Sequence, residues 1–375
     1  MKKFFDWIEL KLEYLWNRAE KAVENDDRSL SIVRILYGLF ILVFLKLDFA
    51  WIGDIPQGFF SPRFLSLSIL FQGFPSYFVM RAIEIILMLL GLFILLGIKS
   101  RWTGIGFVIT YVIANSFHFS FGKISHGSIM FITFILGLSF TNWGVNNAIV
   151  PDRQVTAKTQ KRVLAILAVV LCFGMFTAGW EKALSWFDFN LETGGFMSWF
   201  YKGYFTQGRD DFLAPLVLKI PPKLFELADY SAVIFELIPI FALLAGRKWW
   251  LVWLSIACVF HLANTLLLNI NFISHAPVYL TFASLNFGSI GKQQKDLIYS
   301  QKLMAFVSGM GFFIALHYLI NFGLNRPIIS PITYVTNLWG DGDLAKLYFS
   351  LIIWVLSVLV ITLNLLPWFS PAQKA

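Results

Sequence analysis

The sequence predicts an all-α, polytopic integral membrane protein that crosses the bilayer about ten times. Three observations support this fold class: 58% of the 375 residues are hydrophobic, only 14% are charged, and long apolar segments recur along the chain. With a mean hydropathy of +0.69, the chain has too few polar groups to cover its apolar surface in water. Lipid is therefore its expected solvent.

The first 29 residues predict an amphipathic helix that lies on the inner leaflet. Apolar residues alternate there with Lys, Glu and Asp at helical spacing, and Phe5, Ile8, Leu12 and Leu15 share one face. Secretory signals do not alternate charged and apolar residues in this way. We therefore interpret residues 1–29 as an interfacial helix.

Ten later segments have the composition of spanning helices. A spanning helix needs roughly 17 to 25 mostly apolar residues, and the eighth segment is shorter than this. We expect one membrane domain over residues 30–290, followed by two further spans and a short tail over 291–375. The ten predicted spans are 31–49, 77–98, 103–121, 126–146, 162–180, 228–246, 249–269, 274–289, 303–322 and 346–366.

The distribution of basic residues predicts the orientation of these spans. With the N-terminus inside, most of the 30 Lys and Arg residues lie in short cytoplasmic segments, as the positive-inside rule requires. This favours ten spans with both termini in the cytoplasm. The aromatic connections 50–76, 181–227 and 323–345 then lie outside. The net charge of +8 does not indicate nucleic acid, because the basic residues form no stripe.

Ionisable side chains within spans are candidate functional residues, because they are costly in a bilayer. Arg81 and Glu84 are one helical turn apart and predict a local ion pair. Arg34 lies near the inner interface, where its guanidinium can reach lipid phosphates. Glu236 precedes Pro239, which predicts a kink. The full set is Arg34, Arg81, Glu84, His118, His126, Lys182, Glu236, His261, His275 and His317.

Lys182 is the leading candidate in this set. It follows apolar and aromatic residues at the outer end of the fifth span, where desolvation favours the neutral amine, which can act as a base. The alternative is a lysine that extends its ammonium to the interface. His118 and His126 are eight residues apart across a tight turn and are expected to approach each other. Neither HExxH nor paired Glu-x-x-His occurs, so we expect no metal.

Four segments, in order along the chain, resemble a known family. They are VRILYGLFILVFLKLD, SHGSIMFITFILGLSF, FTAGWEKALSWFD and HLANTLLLNINFISHAPVYLTFASL. Together they are similar to the membrane domain of vitamin K-dependent gamma-glutamyl carboxylase and to the bacterial proteins grouped with it as the horizontally transferred transmembrane domain family. The resemblance covers roughly residues 30 to 290.

The resemblance implies a membrane enzyme with a quinol pocket that opens toward the outer side. Lys182 lies at the position of the family's base, which deprotonates the quinol, and His126 would be its polar partner. Oxygenation of the quinol would then generate a strong base that removes a proton from a substrate glutamate, and carbon dioxide would trap the carbanion. The candidate quinol- or substrate-binding residues are His261, Asn264, Glu236, His118 and His275.

The sequence also departs from the carboxylase. Glu181 replaces a lysine of the family before Lys182 and would tend to keep Lys182 protonated. The carboxylase's large extramembrane C-terminal region has no counterpart here, so we expect menaquinol or a similar quinol, with oxygen, to modify a lipid or an extracytoplasmic peptide. This difference and the small size of the chain also lead us to expect a bacterial cytoplasmic membrane.

Two alternatives remain open. The first is a non-catalytic membrane module that assists maturation or export of a secreted peptide or protein, in which these polar residues join helices. The second is a proton-coupled transporter, which the lack of an inverted repeat disfavours.

Overall fold

The computed structural model describes residues 2–122, 127–188, 194–285, 293–324, 330–338 and 342–369. These residues contain no strand, and one isolated bridge pairs Ile98 with Val150. The all-α prediction is confirmed for them. Their α-helices are α1 (Lys2–Ala22), α2 (Asp27–Val43), α3 (Tyr77–Leu96), α4 (Ser100–His118), α5 (Ile129–Leu138), α6 (Ala157–Trp186), α7 (Gly195–Gln207), α8 (Ala214–Val217), α9 (Pro222–Leu237), α10 (Pro239–Ala245), α11 (Arg247–Leu268), α12 (Ala276–Leu280), α13 (Gln293–Gly323), α14 (Pro331–Leu338) and α15 (Gly342–Leu365).

Six helical segments among these residues are long and apolar enough to cross a membrane. The bent pair α9 and α10 would make a seventh. The chain thus has the helices of an integral membrane protein, while the predicted count of ten is not confirmed. The six segments are Tyr77–Leu96, Ser100–Phe121, Ala157–Trp186, Arg247–Leu268, Ser300–Gly323 and Leu344–Trp368.

Two predicted spans contain helices shorter than expected. α2 covers 17 residues and α5 only 10. Beyond α5 the polar side chains bond to the backbone: Thr141 accepts from the Trp143 N–H, and Gln160 accepts from the Asn142 N–H at 3.0 Å. Such bonds compete with the helical pattern. The predicted apolar span 126–146 is therefore longer than α5.

The prediction of one helix over 274–289 is wrong for the described part of that segment. α12 covers only five residues. The side-chain amide of Asn25 donates to the carbonyls of Thr281 and Ala283, at 3.0 and 2.9 Å. In a continuing helix, these carbonyls would accept hydrogen bonds from backbone N–H groups. Here they accept from the Asn25 side chain instead. Residues 286–292 lie outside the described residues.

The chain forms two compact units, each assembled from separate stretches. The first unit comprises Met1–Asn25, Lys161–Ala283 and Asp343–Ala375. The second comprises Asp26–Gln160 and Ser284–Gly342. The predicted division into 1–29, 30–290 and 291–375 stays a prediction.

In the second unit, Glu84 joins α3 to the segment after α2. Its carboxylate accepts from Arg81 at 2.8 Å, so the predicted ion pair is confirmed. The other oxygen accepts from the backbone N–H groups of Phe49 and Ala50. Arg81, Phe49 and Ala50 therefore satisfy both oxygens of this buried acid.

The interpretation of Arg34 as a lipid-facing residue is wrong. Its side chain is fully buried in the second unit. The guanidinium donates to the carbonyls of Asn146, at 3.2 Å, and Asn147. These carbonyls belong to the turn after α5, where no helix supplies them with donors, and Arg34 takes that role.

Candidate functional site

Lys182 and Glu236 form an ion pair in the first unit. The Lys182 ammonium, near the end of α6, donates to Oε1 of Glu236 on α9. Their side chains are 25% and 5% exposed. The two helices approach closely at Gly179, where a Cβ would lie 2.8 Å from the Glu236 Cβ. A glycine three residues before Lys182 thus brings the carboxylate within reach of the ammonium.

The kink beside Glu236 is stabilised by a side chain of α11. α9 and α10 meet at a bend of 50°, which confirms the kink predicted from Pro239. Because proline has no N–H, the carbonyl of Phe235 loses its helical donor. The indole N–H of Trp253 donates to that carbonyl at 3.2 Å. The bend is therefore fixed by a specific hydrogen bond.

The Lys182 side chain lies beside a carboxylate and an aromatic ring. Its partner is Glu236, whereas the adjacent Glu181 is exposed. The ammonium also lies 5.3 Å from the centroid of the Trp186 ring, within the range of a cation–π interaction. A Cβ at Gly195 would lie 2.2 Å from this ring, so the start of α7 packs directly on it. The prediction that Lys182 acts as a neutral base stays a prediction.

His261 is the centre of a second cluster in the first unit. It lies on α11 and is 5% exposed, and its Nε2 is 2.8 Å from the hydroxyl of Tyr279. Its ring stacks on Trp354 of α15 with centroids 4.9 Å apart, and the His275 ring centroid is 5.5 Å away. Asn264 follows one turn later, and its carbonyl accepts from the N–H of Ile270.

Aromatic rings connect the two clusters. Phe235, the neighbour of Glu236, stacks on Trp253 at 5.4 Å, and Trp253 lies edge-on to Tyr279 at 6.3 Å. The first unit thus brings together Lys182, Glu236, His261 and His275.

Each cluster contains a buried polar atom with unused hydrogen-bonding capacity. Among the described residues, Oε2 of Glu236 and Nδ1 of His261 are buried and make no hydrogen bond. An unsatisfied buried polar atom costs about 1–3 kcal/mol. Native proteins usually satisfy such atoms with water or a ligand. Within the two clusters, these atoms are therefore the ones that a polar ligand could satisfy.

Two predicted site residues are not part of these clusters. His118 belongs to the second unit, where it is exposed and lies edge-on to Trp51 at 5.9 Å. His126 lies outside the described residues. The expected approach of His118 and His126, and the pairing of His126 with Lys182, stay predictions.

Three residues of the first unit were not predicted from the sequence. Tyr279 and Trp354 contact His261, and no spacing in the sequence connects them to it. The third, Asp229, accepts hydrogen bonds from the N–H groups of Gly195 and Phe196 at 2.9 and 2.7 Å, and so caps α7. Asp229 precedes Glu236 by seven residues, a spacing that places both on one helix face.

The second unit has an apolar cavity of about 80 Å³ between residues that include Met88, Leu92 and Tyr318. Ligand sites usually measure about 300–1,000 Å³, and no predicted site residue lines this cavity. Within the described ranges, no group of three or more His, Cys, Asp or Glu residues is arranged to hold a metal ion.

Comparisons with protein-family models, curated proteins and solved structures find no match for this chain. The resemblance to the carboxylase family therefore stays an expectation. The candidate site depends on the geometry of the Lys182 and His261 clusters alone.

Proposed function

We propose that this chain is a membrane enzyme that deprotonates a quinol-type substrate at the Lys182–Glu236 pair, in the manner of the family it resembles. The observation that supports this most directly is the buried carboxylate of Glu236, which binds Lys182 through one oxygen and has no partner on the other. A carboxylate in a medium of low dielectric is a strong acceptor for a hydroxyl proton. The substrate would approach from the exposed side of Lys182.

The geometry favours Glu236, rather than Lys182, as the proton acceptor. Oε2 of Glu236 would take the proton of a substrate hydroxyl, so that the negative charge moves from the carboxylate to the substrate oxygen. The ammonium of Lys182, already beside this carboxylate, would stabilise the new charge. Lys182 therefore acts as an electrostatic stabiliser, and no neutral amine is required.

The donor set fits a quinol hydroxyl. It combines an open carboxylate oxygen, an ammonium and the imidazole of His261, with flat aromatic rings at both clusters. When bound, a menaquinol-type quinol would supply an acidic hydroxyl and a reductant for dioxygen, with carbon dioxide as a further co-substrate. The final substrate would be a lipid or an extracytoplasmic peptide.

We also propose that the chain crosses a bacterial cytoplasmic membrane ten times, with both termini in the cytoplasm and the site toward the outside. α1 exposes Phe4, Phe5 and Trp7, as expected for a helix at the interface. The native cysteines are both buried, so background labelling by an impermeant maleimide should be low. In intact cells Lys202→Cys should be labelled and Lys158→Cys protected; the reverse pattern contradicts this orientation.

The function is tested by quinol oxidation. The detergent-purified protein is supplied with reduced menaquinone, oxygen and bicarbonate, with and without a candidate peptide. Turnover should fall about 10²-fold or more in Glu236→Gln, which removes the proton acceptor, and in Lys182→Met, which removes the charge that stabilises the deprotonated oxygen. The matched control Glu181→Gln, which changes the exposed neighbouring acid, should retain wild-type turnover.

A wild-type protein without turnover would contradict the proposal, provided that Glu236→Gln still supports the protein's role in cells. The better description would then be a non-catalytic module that assists maturation or export of a secreted peptide or protein.

A further inference from the structure

The connection between α2 and α3 contains a segment, residues 64–71, whose side chains are arranged in the opposite way from those of a water-soluble protein. Ser66 and Ser68 are buried. The apolar side chains around them face outward, and Phe64, Leu65 and Leu70 are 80%, 86% and 77% exposed. A contiguous apolar patch of this kind marks a surface that lipid or a partner covers.

The two serines are satisfied within the segment and by α4. The Ser66 hydroxyl donates to the carbonyl of Ser116 at 3.0 Å and lies 2.9 Å from the hydroxyl of Ser68. Because Ser66 has only one proton to donate, the hydroxyl of Ser68 donates to Ser66. The backbone N–H groups of Ile69 and Phe71 also bond inside the segment, to the carbonyls of Ser66 and Ser68. These hydrogen-bonding groups therefore need no water.

Contacts with α4 place the segment beside a helix of spanning length. In addition to the bond to Ser116, the ring of Phe71 lies edge-on to Phe117 at 5.0 Å. Both α4 residues belong to the candidate span Ser100–Phe121, and Ser116 lies more than one helical turn before the end of that span. One turn corresponds to about 5 Å along the helix axis. The segment therefore extends back along the span by at least this distance.

The fold holds the apolar side chains of the segment outward. Arg63, immediately before the segment, donates through Nε to the carbonyls of Gly122 at 3.0 Å and Phe119 at 3.4 Å. Leu65 has a left-handed backbone conformation, with φ of +69°. This conformation is disfavoured for a residue with a Cβ. The anchored segment thus presents Leu65 outward at a cost that an external contact can offset.

We infer that segment 64–71 is embedded in the lipid leaflet at the Phe121 end of α4, at the boundary between headgroups and acyl chains. The chain continues from it into the spanning helix α3, whose first turn exposes Phe78 and so extends the apolar surface into the bilayer. The segment contains no charged residue that would oppose insertion. Its irregular backbone fits this boundary better than the hydrocarbon interior, where every backbone N–H needs a protein partner.

The experiment is quenching of a fluorescent label on the full-length protein in vesicles of phosphatidylcholine and phosphatidylglycerol. Leu65→Cys and Leu70→Cys are each labelled with bimane, and background labelling is low because both native cysteines are buried. Lipids with a nitroxide on the acyl chain should quench both labels more strongly than iodide present on both sides of the membrane. Nitroxides at several depths should place each label about 5–10 Å inside the headgroup region.

The matched control is Asp54→Cys, at an exposed acidic position of the same connection. Iodide should quench its label more strongly than the nitroxide lipids do, because a charged residue favours the aqueous side. Labels on Leu65→Cys and Leu70→Cys that iodide quenches as strongly as the control label would place the segment in water and overturn the inference. Labels that neither quencher reaches would indicate a protein partner or a second copy over the segment, and would overturn it as well.

These readouts involve no quinol, so the inference and the proposed reaction can fail separately. Lipid quenching of both labels in a protein without quinol turnover would support the embedded segment and refute the reaction.

Discussion

Replacing Lys182 and Glu236 one at a time should destabilise the protein more than replacing both together. Lys182→Met leaves a carboxylate that is 5% exposed, and Glu236→Gln leaves an ammonium that is 25% exposed. The uncompensated charge is costly in each single variant because water cannot solvate it fully. The double variant, with Lys182→Met and Glu236→Gln together, removes both charges. It should therefore recover much of the free energy of unfolding that each single variant loses.

The two exposed fractions set the expected order of the effects. Removing one member of a buried pair costs about 3–5 kcal/mol, and Lys182→Met should fall in this range because Glu236 is almost fully buried. Glu236→Gln should cost less, roughly 1–3 kcal/mol, because Lys182 is partly solvated and keeps the Trp186 ring and one amide acceptor. The coupling energy should therefore exceed about 2 kcal/mol.

The assay is equilibrium unfolding of each variant in mixed micelles, which yields the free energy of unfolding for a double-mutant cycle. A second cycle that combines Lys182→Met with Glu181→Gln is the matched control, and its effects should add within about 0.5 kcal/mol. The same additivity in the Lys182–Glu236 cycle would refute the ion pair. A larger loss for Glu236→Gln than for Lys182→Met would refute the burial argument.

Two further substitutions test how Glu236 is held in place. Gly179→Ala adds a Cβ 2.8 Å from the Glu236 Cβ and should lower the free energy of unfolding by about 1–3 kcal/mol, while Gly208→Ala, where nothing lies within 4 Å but φ is +62°, reports backbone strain alone. An effect of Gly179→Ala no larger than that of Gly208→Ala would contradict the close approach. Trp253→Phe leaves the Phe235 carbonyl without its donor and should cost about 1–3 kcal/mol in the same assay; an unchanged free energy would show that the kink does not depend on this bond.

Several features of the fold were predictable because they depend on residues close in the sequence. The apolar runs of α3, α4, α6, α11, α13 and α15 identify helices of spanning length. Arg81 and Glu84 pair within one turn, and Pro239 removes a donor from its own helix. In each case the interacting groups are at most a few residues apart, so helical geometry alone determines the outcome.

Helix ends were harder to predict because distant side chains set them. Asn25 donates to two carbonyls just after α12, and Gln160 accepts from the backbone after α5. Hydropathy reports only whether a segment is apolar. It does not report which distant side-chain amide will form a hydrogen bond with a backbone carbonyl. For this reason the predicted spans 126–146 and 274–289 are longer than the helices they contain.

The sequence by itself determined the fold class, the kink beside Glu236 and the candidacy of Lys182 and His261. Only the tertiary structure decided that Lys182 pairs with Glu236 rather than Glu181, and that Tyr279 and Trp354 surround His261. The physical reason is that helical periodicity fixes the face on which a side chain lies. Which helix packs against that face depends on close approaches such as the one at Gly179.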